Sequence, residues 1–88
     1  RVDRLVLTGG TALVVDIKSD GAPPETANGI PDKYLAQLGA YLSAVRQIWP
    51  GHQVEAAVLW TRTARLMSVP VERAEQAYLN ANWDSRQD

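Results

Sequence analysis

Two aspartates and a lysine are the residues of this chain best suited to chemistry, and a single turn is enough to bring them together. Gly9-Gly10 separates the run Arg1 to Thr8 from the run Thr11 to Lys18. Both runs are rich in β-formers, and a Gly-Gly step between such runs signals a hairpin. A two-residue turn there pairs Thr8 with Thr11, Leu5 with Val14 and Asp3 with Asp16. Side chains alternate along a strand, so Lys18 shares the Asp16 face, with Leu5, Leu7 and Val14 behind it as an apolar floor. Carboxylates directly opposed across an antiparallel ladder sit with Cβ atoms about 4.5–5.5 Å apart and repel. A hard divalent cation such as Mg²⁺ converts that repulsion into coordination. An ammonium beside it stabilises charge developing on a phosphate or orients an attacking water. The chemistry is then metal-assisted phosphodiester hydrolysis. The same residues also suit a surface acidic cluster on a non-catalytic binding or docking module, or acids that hold Ca²⁺ without turnover. A turn shifted by one residue would part the two acids.

The elements that must position these groups are legible along the chain. Ser19 to Pro31 holds turn formers throughout and no periodicity, which predicts a fairly long loop. Asp32 to Trp49 then places Tyr34, Leu35, Leu38, Tyr41, Leu42, Val45, Ile48 and Trp49 at spacings of three and four, between Pro31 and Pro50-Gly51. That is a helix with an apolar stripe. Gln53 to Thr61 suits a strand covered on both faces inside the sheet. Arg62-Thr63-Ala64 turns the chain into the strand Arg65 to Val69, which Pro70 closes. Val71 to Trp83 has helical spacing with Glu72 and Glu75 toward its start, where the helix dipole favours acids, and Asp84 to Asp88 reads as a frayed tail. The order β-β-α-β-β-α is an α+β arrangement, a mixed sheet with flanking helices. No internal repeat or linker divides it, so residues 1–88 are read as a single domain.

Composition narrows the function further. A chain of 88 residues hides only about 60–65% of its unfolded surface, which argues against a large enclosed cavity. With 45% hydrophobic and 22% charged residues it should carry a packed core and no long disordered stretch. A net charge of -1 supplies no bulk attraction for nucleic acid, so contact with a polyanion must come from local geometry. The absence of cysteine removes disulfides, thiolate metal sites and cysteine nucleophiles, and leaves an intracellular address open. One histidine, His52 in a turn, cannot build a multi-histidine site. No uncharged stretch approaches a membrane span, and Arg1 to Leu5 lacks a signal-peptide pattern, so a soluble protein is expected. Ser19 and Thr61 have no base at a recognisable spacing, and no phosphate-binding glycine loop supports ATP binding by these residues. Trp49, Trp60 and Trp83 lie on separate elements and suit a core or interface better than a base-stacking platform. Arg62 and Arg65, at a turn, are expected to be solvated.

Three blocks in order carry a resemblance: Arg1-Val2-Asp3-Arg4-Leu5, then Val14-Val15-Asp16-Ile17-Lys18, then Gln37-Leu38-Gly39-Ala40-Tyr41. Together they resemble the RecB-type branch of the PD-(D/E)xK nucleases, with its acid, its D-x-K and its Q-x-x-x-Y. Trp49-Pro50-Gly51, Ala56 to Thr61 and Arg65-Leu66-Met67 also look like the C-terminal end of AddA-like helicase-nuclease subunits of double-strand break repair. The resemblance implies a restriction-endonuclease-like core truncated at its N-terminus, the C-terminal part of a nuclease domain. It implies a Mg²⁺-dependent deoxyribonuclease, an exonuclease with Mn²⁺ as a substitute ion, which as a fragment need not be active alone. It makes Asp3 and Asp16 metal ligands, the Ile17 carbonyl a further ligand, and Lys18 the catalytic lysine. Gln37 and Tyr41 would lie along the DNA. Their separation of four puts both on one helical face, although Tyr41 equally fits the apolar stripe. It further implies DNA recombination and repair, an AddB-type partner subunit, ATP used only by a missing helicase portion, and a bacterial cytoplasmic location with no membrane partner.

Overall fold

A computed structural model of the chain describes residues 4–19 and 23–87. Its elements run β1 (Arg4–Leu7), β2 (Thr11–Lys18), a 3₁₀ turn (Ala27–Gly29), α1 (Asp32–Ile48), β3 (Gln53–Trp60), β4 (Arg65–Val69) and α2 (Val71–Gln87). The four strands form one mixed sheet in the order β1-β2-β3-β4. The β-β-α-β-β-α order and the α+β class expected from the sequence are those of the structure, consistent with the restriction-endonuclease-like fold.

The first hairpin turns at Gly9-Gly10. Leu5 pairs with Val14 and Arg4 with Val15, antiparallel. The Thr8 N–H donates to the Thr11 carbonyl at 2.9 Å and closes the turn. This is the register expected from the sequence as far as the described ladder extends. Asp3, expected opposite Asp16, lies outside the described residues.

Strand β2 pairs in parallel with β3, in the register Asp16 to Val58 and Lys18 to Trp60. A parallel pair needs a crossover, and α1 supplies it. The helix begins after Pro31, whose carbonyl accepts from the Tyr34 and Leu35 N–H groups, and Asp32 in its first turn complements the helix dipole. Leu35, Leu38, Leu42 and Val45 form its buried stripe over Ala12, Val14, Ala56, Val58 and Trp60. Ile48, expected in that stripe, is 63% exposed, because it lies about 60° round the helix from buried Val45, toward the side of exposed Gln37.

Helix α2 joins the same layer. Its Ala74 is buried in the cluster that α1 makes with the sheet. The helices approach closely at Gly39, where an added Cβ would fall on the Ala74 carbonyl oxygen and within 2.7 Å of Tyr78 Cβ. Arg46 on α1 and Glu75 on α2 form an ion pair at 2.7 Å beside that crossing. One sheet and one helical layer account for the thinnest dimension of 19 Å. Strand β3 is therefore buried on both faces only in its second half: Gln53 and Glu55 are exposed, whereas Ala56, Ala57 and Val58 are not.

One further departure from the sequence reading is local. Helix α2 continues to Gln87 through the stretch expected to fray. Arg65 is exposed, as expected, and donates to the Glu25 carbonyl at 2.7 Å, while Arg73 donates to Asn28 Oδ1. With Ile30 buried in the core, these bonds tie the segment 23–30 to β4 and α2. The β3–β4 turn spans 61–64 and holds Ala64 at φ 53°, a left-handed conformation that a Cβ disfavours.

Candidate active site

Asp16 occupies the helix-facing side of β2, two positions beyond Val14, so alternation alone buries it under α1. It is 2% exposed and is the single buried charged residue among the described residues. A buried carboxylate requires a partner. Lys18, two residues on and on the same face, supplies one, with Nζ 3.0 Å from Asp16 Oδ2. The Lys18 side chain is 15% exposed, so the ammonium sits at the rim of the core.

Two neighbours build the surroundings of that ammonium. From α1, the Tyr34 ring lies under it, with Nζ 4.0 Å from the ring centroid. From β3, Trp60 is its partner in the parallel register and is buried on the same face. The Trp60 indole Nε1 has no hydrogen-bond partner among the described residues. Buried unsatisfied donors are rare enough to mark a place where water or a ligand group completes the structure. Thr61 fixes the strand end: its N–H and hydroxyl both donate to the Lys18 carbonyl, at 2.9 and 3.3 Å. Thr61 is thereby part of the scaffold of the site, as befits a residue with no base beside it.

Gln37 and Tyr41 hold the positions expected of them on one face of α1, and the Gln37 amide donates to the Tyr41 hydroxyl at 3.4 Å. Gln37 is exposed and Tyr41 packs partly against the core, so the tyrosine satisfies both readings open to it. At 3.6 residues per turn, Tyr34, Gln37 and Tyr41 fall within a stripe of about 60°. The contact between Tyr34 and Lys18 therefore aligns this stripe with the carboxylate–ammonium pair. Tyr34 was legible only as a member of the apolar stripe. Its i, i+3 relation to Gln37 was the available signal, but no periodicity indicates which residue of β2 it meets.

The donor set suits a hard cation: the Asp16 carboxylate and the adjacent Ile17 main-chain carbonyl are oxygens. No group of three or more His, Cys, Asp or Glu able to hold a metal stands together among the described residues. Trp49 is partly buried against the core, in keeping with the structural role expected for the tryptophans, and the Trp83 side chain lies outside the described residues. His52 donates its N–H to the Trp49 carbonyl at 3.1 Å in the turn before β3. Among the described residues no helix is long and apolar enough to cross a membrane.

The sequence matches the family model described as PD-(D/E)XK nuclease superfamily over residues 1–87. Neither the curated proteins nor the solved structures searched gave a match.

Proposed function

The chain belongs to the PD-(D/E)XK nuclease superfamily, and from that membership we propose that it is a metal-dependent DNA nuclease domain that hydrolyses phosphodiester bonds at Asp16 and Lys18. The observation that carries this reading is the buried Asp16–Lys18 pair at 3.0 Å, on alternate positions of one strand. Nucleases of this superfamily typically use divalent metals. Asp16, the Ile17 carbonyl and Asp3 are the residues proposed to hold Mg²⁺, with Mn²⁺ as a substitute. A bound dication supplies Lewis-acid stabilisation of phosphate charge and a more acidic water.

The remaining work falls to the chain itself. The Lys18 ammonium offers three donors and is mostly shielded from solvent, so it hydrogen-bonds a phosphoryl oxygen as charge develops there. Its strand end is held by Thr61, so the ammonium meets the phosphate from a fixed origin. Gln37 and Tyr41 line the approach along α1 and orient the DNA backbone through neutral donors. With a net charge of -1 for the whole chain, such local contacts carry the recognition.

The larger setting rests on the likeness of Trp49 to Gly51, Ala56 to Thr61 and Arg65 to Met67 to AddA-like subunits. We infer an exonuclease domain, the C-terminal part of a helicase-nuclease of bacterial double-strand break repair and recombination. It would work in the cytoplasm beside an AddB-type subunit, with ATP consumed by a helicase portion outside these residues.

Thermal unfolding with increasing Mg²⁺ or Mn²⁺ tests the site, since a ligand of the native state alone raises stability with its concentration. The wild-type chain should gain stability with either ion, and Asp16→Ala and Asp3→Ala should each erase the gain. Linear DNA should be lost in Mg²⁺ and preserved by chelation. Lys18→Ala should abolish cleavage while metal binding persists. Metal binding without turnover would favour acids that hold a cation structurally, and no metal response with no cleavage would favour the docking-module reading.

A further inference from the structure

The chain has two lysines, Lys18 and Lys33, and both ammonium groups lie over the ring of Tyr34. Lys18 Nζ is the closer, 4.0 Å from the centroid against 5.3 Å for Lys33. Lys18 is also the better shielded, so its attraction to the ring quadrupole is less weakened by water. A lysine side chain has four rotatable bonds and holds no preferred direction by itself. Two contacts fix this one: the Asp16 carboxylate on its own strand and the Tyr34 ring from α1.

These contacts differ in what they leave free. The Asp16 oxygens are the donors a divalent cation would take, and a dication placed there repels the ammonium and weakens its hold on Asp16. The Tyr34 ring face offers no lone-pair oxygen and so competes for neither group. We propose that Tyr34 is a positioning residue, keeping the Lys18 ammonium at the site through the face of its ring independently of Asp16. This role in the reaction rests on the nuclease reading of Asp16 and Lys18; the hold of the ring on the ammonium does not. The ring, and not its hydroxyl, is the working part.

Proton NMR reads the contact directly, because a ring face shifts the Lys18 side-chain methylene signals upfield. The shift should be present in the wild-type chain, kept in Tyr34→Phe and lost in Tyr34→Leu. It should persist in Asp16→Asn, where the carboxylate can no longer hold the lysine. Its loss in Asp16→Asn, or its survival in Tyr34→Leu, would overturn the proposal. In single-turnover cleavage of linear DNA, Tyr34→Phe should stay within about twofold of wild type. Tyr34→Leu should fall by about tenfold in rate at unchanged DNA affinity, a difference of about 1.4 kcal/mol in the barrier. Phenylalanines of increasing ring fluorination at position 34 should slow cleavage in step with the loss of the negative ring face. A purely packing role would leave that series flat and so refute the proposal. Failure of the wild-type chain to cleave would count against the nuclease reading, and the NMR comparison would still decide whether the ring holds Lys18.

Discussion

Gly39→Ala is the sharpest test of how the helical layer is assembled. Two effects oppose each other. Alanine is favoured over glycine in a helix interior by about 1 kcal/mol, so on propensity alone the variant should be more stable. The new Cβ, however, would fall on the Ala74 carbonyl oxygen and 2.7 Å from Tyr78 Cβ, where ordinary contact begins at 3.4 Å. Neither obstacle is the tip of a flexible side chain, and the carbonyl oxygen is the nearer, so α1 and α2 must part by roughly 1 Å or more at the crossing. A gap of that size forfeits about a quarter to a half of the dispersion energy of the atoms lining it. Overpacking typically costs about 1–3 kcal/mol, and a backbone obstacle puts this site at the upper end, leaving a net loss of about 2 kcal/mol. For a domain of this length that corresponds to a fall in melting temperature of about 8–16 °C. Circular dichroism on heating, with urea unfolding for the free energy, measures it. Ala44→Gly on the exposed face of α1 serves as the propensity control and should lose about 1 kcal/mol. A Gly39→Ala variant as stable as wild type, or more so, would refute the close crossing.

Lys18→Met keeps most of the stem but leaves the Asp16 carboxylate buried without its ammonium. It should destabilise the metal-free protein by about 3 kcal/mol in urea unfolding, the low end for breaking a buried pair because Lys18 still reaches the rim. Ala64→Gly relieves the left-handed φ of 53° at the β3–β4 turn and should stabilise the chain by about 0.5–1 kcal/mol in the same assay. Arg65→Ala removes the bond to the Glu25 carbonyl and should raise amide exchange in the segment 23–30 while costing no more than about 1 kcal/mol globally. Arg46→Ala, which breaks a solvent-exposed ion pair, should change the melting temperature by less than any of these.

The strength of the sequence reading followed the range of the interactions behind it. The hairpin at Gly9-Gly10 and its register depend on neighbours in the chain, and so do the faces of Asp16, Lys18, Gln37 and Tyr41. The turn at 61–64 and the strand after it were legible for the same reason. Helix ends were less so: α2 runs to Gln87 because nothing after Trp83 forbids a helix, and the weak apolar spacing there misled. Arg65 is exposed as expected, but its bond to the Glu25 carbonyl was not legible because that carbonyl belongs to a loop forty residues earlier.

By itself, then, the sequence determined the element order, the hairpin register and the acid-and-lysine strand, because each follows from alternation or turn chemistry over a few residues. Only the tertiary structure decided that Tyr34 is the residue meeting Lys18 and that Trp60 buries its indole beside it. Only the tertiary structure, likewise, revealed that Gly39 exists to admit the Ala74 carbonyl. Those contacts depend on how a parallel crossover seats one helix on the sheet and a second helix against the first. Periodicity defines which side of an element faces inward, whereas the identity of the opposing residue emerges only when separate elements pack to fill the same volume.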